Sequence, residues 1–393
     1  MGTHPAGRLE DVWNAAWGAV FRRRGWRPVI VPYQGYGRSG DEGFVRVLAR
    51  VLLVPGQEPR VNRRASAAAL ASVGASVGAR ARSLRDWSAR KGSARAPSGR
   101  AGTVRTAPPG LPDRRGWRAF FTLPAAHVPV TVSVGDVEHP VRADRSGIVD
   151  VRLPAPEQAP GWQQVTLRIA APDEHTVDAV TARVFVVAPD QTFGLVSDID
   201  DTVIRTLLPR PLLAAYNTFV LRETSRSPVA GMSELYRRLL APHPGAPTVY
   251  VSTGAWNTAA MLRRFLARHG YPEGPLLLTD WGPTNTGWFR SGADHKRACL
   301  RALAADLPSV RWVLVGDDGQ RDPSLYAEFA RERPDRVRVI AIRQLTVTEQ
   351  MLAHGSATNR IGEHYGPARS VVPEVRAPDG TSLAAALTGL DVS

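Results

Sequence analysis

The chain has 393 residues, a formal net charge of +14 and a single cysteine. Its length suits about two domains rather than one, and no run of about 18 apolar residues is present to predict a transmembrane segment. One cysteine excludes an intrachain disulfide and favours a reducing compartment, so we predict a cytoplasmic protein.

In chain order, the first element is an N-terminal region of residues 1–26 that mixes charged and apolar side chains. Apolar residues at helical spacing predict a short helix over 10–24. The region shows no apolar core of the length that a secretory signal needs, so none is predicted.

The second element is a β-rich domain over residues 27–190. Short runs with alternating apolar and polar residues, separated by turn residues, are typical of a β-sandwich-like domain. We predict its strands at 27–37, 43–54, 117–123, 128–134, 147–153, 162–169 and 179–187.

A basic segment interrupts this domain as an insertion at about 56–116. It is rich in Ala, Arg, Ser and Gly and carries most of the excess positive charge. Because the rest of the chain is close to neutral, binding to nucleic acid is not predicted. Two interpretations stay open: peripheral contact with an anionic membrane, where each Lys or Arg contributes about 1 kcal/mol, or drift in an Arg-rich chain.

The third element, residues 191–350, alternates short apolar strands with helices, which predicts an α/β domain with a Rossmann-like parallel sheet covered on both faces. Ligands bind such sheets beyond the carboxyl ends of the strands. Residues 351–393 are predicted as a C-terminal tail. The predicted strands are 193–197, 248–252, 274–280, 311–316 and 337–342, and the predicted helices are 231–240, 256–269, 294–306 and 323–333.

An acidic cluster follows the first of these strands, in "FGLVSDIDDTVIRT". Asp198, Asp200 and Asp201 lie within four residues, and such a concentration of negative charge is costly without a cation. Hard carboxylate oxygens from two strand ends are the ligands that Mg²⁺ prefers. We therefore predict a Mg²⁺ site formed by Asp198, Asp200 and Asp317.

These residue types fit phosphoryl transfer. Asp198, the first residue after the strand, is the candidate nucleophile that forms an aspartyl-phosphate. Asp200 is the candidate acid that assists the leaving alcohol and then the base for water. Ser252 and Thr253 offer hydroxyl groups to the phosphoryl oxygens, and Lys296 places a fixed positive charge against the charge that develops in the transition state.

The segment "GDDGQRD" contributes the remaining candidates. Asp317 completes the metal shell, Asp318 affects metal affinity, and Asp322 holds Lys296 or a metal-bound water. Asp322 also precedes Pro323 at a predicted helix start, so a helix N-cap is an equally open interpretation. Thr202 is assigned to phosphate binding, with capping of a helix as its alternative.

These motifs resemble the four motifs of the haloacid dehalogenase superfamily, as "DIDDT", "VYVS", the lysine of "DHKRACL" and "GDDGQRD". The resemblance covers about residues 193–345 and implies a haloacid-dehalogenase-like fold. The second aspartate of the first motif, Asp200, resembles the phosphatases of that superfamily rather than its dehalogenases.

A narrower resemblance is to the catalytic domain of the fungal actin-patch phosphatidate phosphatase, in "GMSELYRRL", "VYVSTGAWN", "HKRACLRAL" and "VLVGDDGQRDPSLYAEFA". It implies a Mg²⁺-dependent hydrolase of lipid metabolism that converts phosphatidate to diacylglycerol. "IVPYQGYG" (30–37) is similar to the β-rich portion that precedes the domain in bacterial relatives. The chain departs from the family in "STGAW", where S-x-S-P-W is usual, and in "GDDGQ", where G-D-S-G-Q is usual.

Two other functions stay open. One is a phosphatidate-binding module without turnover, and the other is a phosphatase for a soluble phosphomonoester or a phosphoprotein. A phosphorylated lipid is the expected partner in the preferred hypothesis. Residues 206–229 are apolar in part, and they form either a small cap that contacts acyl chains or a segment that packs on the sheet.

Overall fold

The computed structural model describes residues 25–55, 123–170, 179–205, 226–279, 292–319, 321–354 and 372–390, the last four residues before 355 in backbone only. The described residues other than Pro55 belong to one compact unit. The predicted N-terminal helix, the basic insertion and most of the strand predicted at 117–123 lie outside the described residues.

The N-terminal strands form one mixed sheet. Its members are β1 (Trp26–Pro32), β2 (Gly35–Arg38), β3 (Phe44–Pro55), β4 (Leu123–Pro124), β5 (Pro129–Val134), β6 (Val137–Arg142), β7 (Ile148–Pro154), β8 (Gly161–Ile169) and β9 (Val180–Val187). The order is β1-β3-β2-β9-β8-β5-β6, with β4 and β7 also paired to β3. The predicted β-rich region is present, but hydrogen bonds join its strands into a single sheet in which β2 and β9 are parallel.

The alternation read from the sequence decides which face of each strand is buried. In β8, Val165, Leu167 and Ile169 are buried while Thr166 and Arg168 face solvent. Strand β6 was not predicted from the sequence, because "VEHPVR" is charged and contains a proline. Both features are tolerated since β6 is an edge strand of the sheet.

The C-terminal strands form a parallel sheet of six. They are β10 (Phe193–Ser197), β13 (Thr248–Ala255), β14 (Leu276–Thr279), β15 (Arg311–Asp317), β16 (Val337–Arg343) and β17 (Glu374–Ala377). The order is β14-β13-β10-β15-β16-β17, and each neighbouring pair is parallel. The order therefore reverses at β10, where doubly wound sheets open a crevice for ligands. A short antiparallel pair, β11 (Ile204–Arg205) with β12 (Ser227–Pro228), follows β10.

Six α-helices are described: α1 (Met232–Leu240), α2 (Ala259–Arg268), α3 (Gly292–Asp306), α4 (Asp322–Glu332), α5 (Val347–His354) and α6 (Gly380–Leu387). The predicted α/β class with a parallel sheet is confirmed. Within the described residues, no helix is long and apolar enough to cross a membrane.

The described part of residues 351–393, which are predicted as a C-terminal tail, contributes a strand to the parallel sheet. Residues 374–377 form β17, which pairs with β16. Leu383 and Leu387 of α6 are buried in the core of the α/β part. A strand of four residues gives too short a pattern to be recognised in the sequence.

Candidate active site

Two adjacent strands bring carboxylates to the same edge of the parallel sheet. The Asp198 backbone N–H donates to the Val315 carbonyl at 2.9 Å, which continues the pairing of β10 with β15. Asp317 is the last residue of β15. Both side chains are almost completely buried. Parallel pairing therefore places the two predicted site residues at neighbouring carboxyl ends of the sheet.

Lys296, near the N-terminal end of α3, lies among these acids. Its Nζ donates to Asp198 Oδ1 at 2.7 Å and to Asp322 Oδ1 at 2.5 Å, and all three side chains are buried. Burial alone lowers the pKa of a lysine, but the charges of Asp198, Asp322 and Asp317 outweigh it and raise the pKa of Lys296 above its ordinary value. The ammonium group therefore keeps its charge.

Asp198, Asp317 and Asp322 form a group with the geometry of a metal site. Each offers one carboxylate oxygen, and the three oxygens lie within 4.8 Å of one another. Asp198 Oδ2 and Asp322 Oδ2 are buried and accept no hydrogen bond from the part of the chain that the structure describes. Three carboxylates against the one ammonium of Lys296 leave two negative charges uncompensated when all are ionised. A divalent cation with a preference for oxygen ligands fits both observations.

Burial and the neighbouring negative charges raise the pKa values of two of these acids. Burial raises the pKa of Asp198 to about 8, with Lys296 opposing the shift and Asp322 and Asp200 adding to it. Burial, together with the charges of Asp322 and Asp198, also raises the pKa of Asp317 well above its ordinary value. Strongly perturbed carboxyl groups in a cluster are typical of functional sites.

Asp200 lies with Ser252 rather than within the group of three carboxylates. The Ser252 hydroxyl donates to Asp200 Oδ2 at 2.9 Å and accepts from the Gly254 N–H at 3.0 Å. Ser252 is buried, whereas Asp200 is partly exposed. The structure therefore brings together the first and second predicted motifs, and it adds Asp322 to the acids next to Asp198.

The other predicted site residues surround this centre at different distances from the carboxylates. The Thr202 hydroxyl, fully buried, donates to Asp317 Oδ2 at 3.4 Å. The Thr253 backbone carbonyl accepts from the Thr279 hydroxyl at 2.8 Å, which fixes the C-terminal end of β13. Asp318 points away, because its Oδ1 accepts from the Leu345 N–H at 2.8 Å.

The two open interpretations of capping are decided by these contacts. Asp322 begins α4, but its carboxylate accepts from Lys296 rather than from a helix N–H. Within residues 201–205 no helix begins at Asp201 or Thr202, since the chain turns there and enters β11. Thr202 and Asp322 therefore do not act as N-caps.

A supporting ion pair was not found from the sequence. Arg343, the last residue of β16, donates to the Asp201 carbonyl at 2.6 Å and to Glu349 Oε1 at 2.7 Å. Arg205 of β11 donates to the same Glu349 oxygen at 2.9 Å. Asp201 has a positive φ of 61°, so Arg343 stabilises a strained turn between the acids and β11. The available signal was a basic residue that ends the apolar strand "VRVIAIR".

Gly316 is a second residue that sequence reasoning missed. A Cβ added there would lie 2.7 Å from Asp322 Oδ2 and 2.8 Å from the Asp322 Cβ. Only glycine lets the start of α4 approach β15 closely enough for Asp322 to reach Lys296. The glycine stands directly before Asp317 in the predicted motif, which was the available signal.

Comparison with known proteins points to one catalytic domain. Residues 193–344 match the family model described as "Phosphatidate phosphatase APP1, catalytic domain". The narrower resemblance, to the catalytic domain of the fungal phosphatidate phosphatase, is confirmed. The match begins at the first residue of β10 and ends just after β16, so it contains every predicted site residue and leaves the mixed sheet outside.

Two curated fungal proteins match the same region. Phosphatidate phosphatase APP1 of Saccharomyces cerevisiae is 27% identical over 153 residues, which cover 38% of this chain and 25% of that protein. An uncharacterized protein of Schizosaccharomyces pombe is also 27% identical over 153 residues, covering 39% of this chain and 25% of that protein. The chain thus spans about a quarter of the length of the curated relatives that it matches.

Solved structures give a weaker comparison. A β-glucuronidase of Parabacteroides merdae covers 80% of this chain and 33% of its own, at 10% identity and a TM-score of 0.21. A second glucuronidase structure of that organism gives a TM-score of 0.23. Likeness at this level supports no inference about fold or function.

Proposed function

We propose that the chain is a Mg²⁺-dependent phosphatase that hydrolyses a phosphomonoester, with phosphatidate as substrate and diacylglycerol as product. The observation that carries the proposal is the buried contact of Lys296 with Asp198 and Asp322, beside Asp317. It lies within the residues that match a phosphatase catalytic domain. The reversal of strand order at β10 supports the further proposal of a haloacid-dehalogenase-like fold.

We assign the metal to the group of three carboxylates, where Asp198, Asp317 and Asp322 would hold it. The fit rests on the three carboxylate oxygens, which lie within 4.8 Å of one another, and on the buried Asp322 Oδ2, which has no hydrogen-bond partner in the described residues. When bound, Mg²⁺ supplies the positive charge that keeps these acids ionised and that polarises a phosphoryl oxygen.

Asp198 is the nucleophile of the proposed reaction. Lys296 occupies its Oδ1 and thereby fixes the carboxylate, so Oδ2 is the oxygen free to attack phosphorus. The new Oδ2–P bond forms as the bond from phosphorus to the alcohol oxygen breaks, and that oxygen leaves with the bonding electrons. The product of this step is an aspartyl-phosphate. Lys296 then also balances negative charge on the transferring group.

Asp200 carries the protons. The hydrogen bond from Ser252 holds its carboxyl group beside Asp198, on the partly exposed side of the site. When protonated, Asp200 donates to the leaving alcohol oxygen. It then accepts a proton from the water that attacks the phosphorus of the aspartyl-phosphate. The Oδ2–P bond breaks, inorganic phosphate is released and the free Asp198 carboxylate is restored.

Ser252 and the other residues at the C-terminal end of β13 provide the phosphate contact. The Ser252 hydroxyl is held by the Gly254 N–H, and it can turn from Asp200 to a phosphoryl oxygen when substrate enters. The Thr202 hydroxyl acts on the site through its hydrogen bond to Asp317. The identity of the lipid comes from the named activity of the Saccharomyces cerevisiae relative. The predicted apolar cap at 206–229 lies mostly outside the described residues.

The test is the release of phosphate by the purified chain with Mg²⁺, from phosphatidate in mixed micelles and from p-nitrophenyl phosphate. The Asp198→Asn variant is compared with Glu138→Gln, a control on the edge strand β6. We expect release by the wild type and by Glu138→Gln, and none by Asp198→Asn or after chelation of the metal. Undiminished turnover by Asp198→Asn contradicts the mechanism. Phosphatidate binding without release indicates the binding module, and a preference for soluble phosphates indicates the other phosphatase.

A further inference from the structure

The segment 33–36, which joins β1 to β2 in "PYQGYG", contacts the α/β part at three places. Tyr33, Gln34 and Tyr36 are buried although they lie just after the end of β1 and at the start of β2. None of them is within the region that matches the catalytic-domain family. Of their partners, Trp256 directly follows β13, the strand of Ser252, and Asp306 ends α3, the helix of Lys296. The third partner, Glu273, precedes β14.

Tyr33 packs directly on the loop that follows β13. Its ring stacks on that of Trp256 with centroids 4.5 Å apart and planes 23° apart, and each residue is only 7% exposed. The Tyr33 hydroxyl also lies 3.4 Å from the Trp256 carbonyl. Trp256 opens the 3-10 turn that begins four residues after Ser252. Aromatic pairs of this kind contribute about 0.5–1.5 kcal/mol beyond the area they bury.

Residues Ser252–Trp256, the C-terminal end of β13 and the residue after it, are held at both ends. The pairing of β13 with β14 shifts register between Val251 and Ala255, and Gly254 in this segment has no side chain. At the inner end, the Gly254 N–H bonds to the Ser252 hydroxyl, and Thr279 of β14 bonds to the Thr253 carbonyl. At the outer end, the stack with Tyr33 holds Trp256 in place.

The contacts of Gln34 and Tyr36 fix the orientation of segment 33–36, and neither involves a residue of the Ser252–Trp256 segment. Gln34 donates to Glu273 Oε1 at 2.7 Å, directly before β14. Tyr36 donates to Asp306 Oδ2 at 2.8 Å, at the last residue of α3. Arg46 donates to the Tyr36 hydroxyl at 2.8 Å from within the mixed sheet. Tyr36 therefore offers a matched control, because it joins the mixed sheet to the α/β part through Asp306 and not through the Ser252–Trp256 segment.

We propose that Tyr33, which lies between β1 and β2 of the mixed sheet, is a positioning residue for phosphoryl transfer, acting through Trp256 to hold the Ser252–Trp256 segment in its phosphate-binding conformation. The inference rests on the proposed function, and it deepens it by assigning a task to the β-rich part. The catalytic-domain region is then incomplete without Tyr33. The mixed sheet acts on phosphate binding as well as on the stability of the chain.

The experiment compares full-length Tyr33→Leu, Tyr33→Phe and Tyr36→Phe with wild type in Mg²⁺ buffer. Steady-state assays give KM and kcat for p-nitrophenyl phosphate. The rise in Tm that inorganic phosphate produces gives the affinity for phosphate. We expect Tyr33→Leu to weaken phosphate affinity and raise KM by about tenfold. Tyr33→Phe keeps the stack and should stay within about twofold. Tyr36→Phe should lower Tm without changing phosphate affinity.

A double-mutant cycle separates positioning from general stability. In a Ser252→Ala background, Tyr33→Leu should have no further effect on phosphate affinity, because the group that it positions is gone. Equal phosphate affinity in folded Tyr33→Leu and wild type, or an equal loss in Tyr36→Phe, overturns the proposal. Should Tyr33→Leu not fold, Tyr33→His keeps a planar ring with a weaker stack, and an affinity loss of about threefold is expected; an unchanged affinity contradicts it.

The outcomes also distinguish this proposal from the function on which it rests. The Tm readout reports phosphate binding whether or not the chain turns over a substrate. A wild type that binds phosphate but never releases it from an ester ends the proposed function and leaves the role of Tyr33 measurable. A wild type that turns over, with Tyr33→Leu identical to it, ends only the role of Tyr33.

Discussion

The two sheets of this protein treat charge in opposite ways. The mixed sheet keeps its ion pairs at the surface, as in the contact of Arg168 with Glu138 at 2.6 Å, where both side chains are about half exposed. The parallel sheet is buried along most of its strands and yet holds Asp198, Asp317 and Lys296 inside at its carboxyl end. Surface pairs contribute little to stability, whereas buried charges carry a large desolvation cost.

The difference teaches where selection for stability stops explaining the structure. A fold that minimised its free energy would not bury three carboxylates with one ammonium, since apolar residues of similar volume are often as stable or more so. The acids at the end of the parallel sheet are therefore expected to cost stability and supply activity. The interior of the mixed sheet is made of apolar residues, and its changes are expected to affect stability first.

The largest expected effect comes from Asp198→Asn. The variant should lose about 10,000-fold or more in kcat. Burial raises the pKa of Asp198 in the folded chain to about 8, above its unfolded value, so the stability that the protonated acid contributes is lost as pH rises through that range. Asparagine does not titrate, and without metal its advantage in Tm over wild type should grow from pH 4 to pH 8.

That comparison is measured by thermal unfolding in a chelating buffer across the pH range, with Asp150→Asn of the mixed sheet as the control. Asp150 pairs with Arg46 at the surface of that sheet, so its loss should lower Tm slightly. An Asp198→Asn protein that is less stable than wild type at pH 8 would mean that this carboxylate is not a cost to the fold.

Lys296→Met should produce the next largest effect. The change leaves Asp198 and Asp322 buried without their counter-charge, and breaking such a pair costs about 3 kcal/mol of unfolding free energy. Urea denaturation in metal-free buffer measures it. The matched control, Arg301→Met, lies on the same helix but in an exposed pair with Glu332, and it should leave the unfolding free energy nearly unchanged. Equal costs for the two variants would contradict the account.

Glu349→Gln sharpens the comparison through pH. Burial acts to raise the pKa of Glu349, but hydrogen bonds from Thr346, Arg343 and Arg205 prevail and lower it to about 2. Its contribution, about 3 kcal/mol for a shift of this size, is full above the unfolded pKa and is lost as pH falls toward 2. The difference in unfolding free energy between wild type and variant should therefore shrink from pH 6 to pH 3.

The control for this series is Glu138→Gln, whose exposed pair in the mixed sheet should change the unfolding free energy by less than about 0.5 kcal/mol at any pH. Denaturant titrations at several pH values measure both variants. A difference between wild type and Glu349→Gln that is constant with pH would show that the ion pair with Arg343 does not support the folded state.

Gly316→Ala should give the smallest of these effects on the site. Its methyl group would lie 2.7 Å from Asp322 Oδ2, so Asp322 must move away from Lys296, and displacements of about 1 Å can cost about 100-fold in rate. Gly389→Ala is the control, because nothing lies within 4 Å of its added methyl group. We expect kcat to fall by about 10- to 100-fold for Gly316→Ala in steady-state assays, and unchanged kcat would remove Asp322 from the site.

The sequence predicted the parallel sheet better than the mixed one for a physical reason. Strands buried on both faces read as short apolar runs bounded by turns, so β10 and β15 were placed to within a residue. The edge strand β6 and the four-residue β17 carry too little apolar signal to be recognised. Burial, rather than pairing, is what leaves a pattern in the sequence.

The candidate site divides in the same way. Asp198, Asp200 and Asp317 could be predicted because acids directly after apolar strands are conspicuous. The position of Asp322 against Lys296 depends on how α3 and α4 pack, and on the space that Gly316 leaves. The contacts of Arg343 with Asp201 and of Tyr33 with Trp256 join residues more than a hundred positions apart. A local sequence pattern therefore does not predict them.

The most direct test of the central claim is a crystal structure of the chain with Mg²⁺ and fluoroberyllate, which imitates a phosphoryl group on a carboxylate. The account predicts beryllium bonded to Asp198 Oδ2, with one metal ion shared by Asp198 and Asp317. Fluoroberyllate bound to another residue, or a metal ion that these two aspartates do not share, would contradict it.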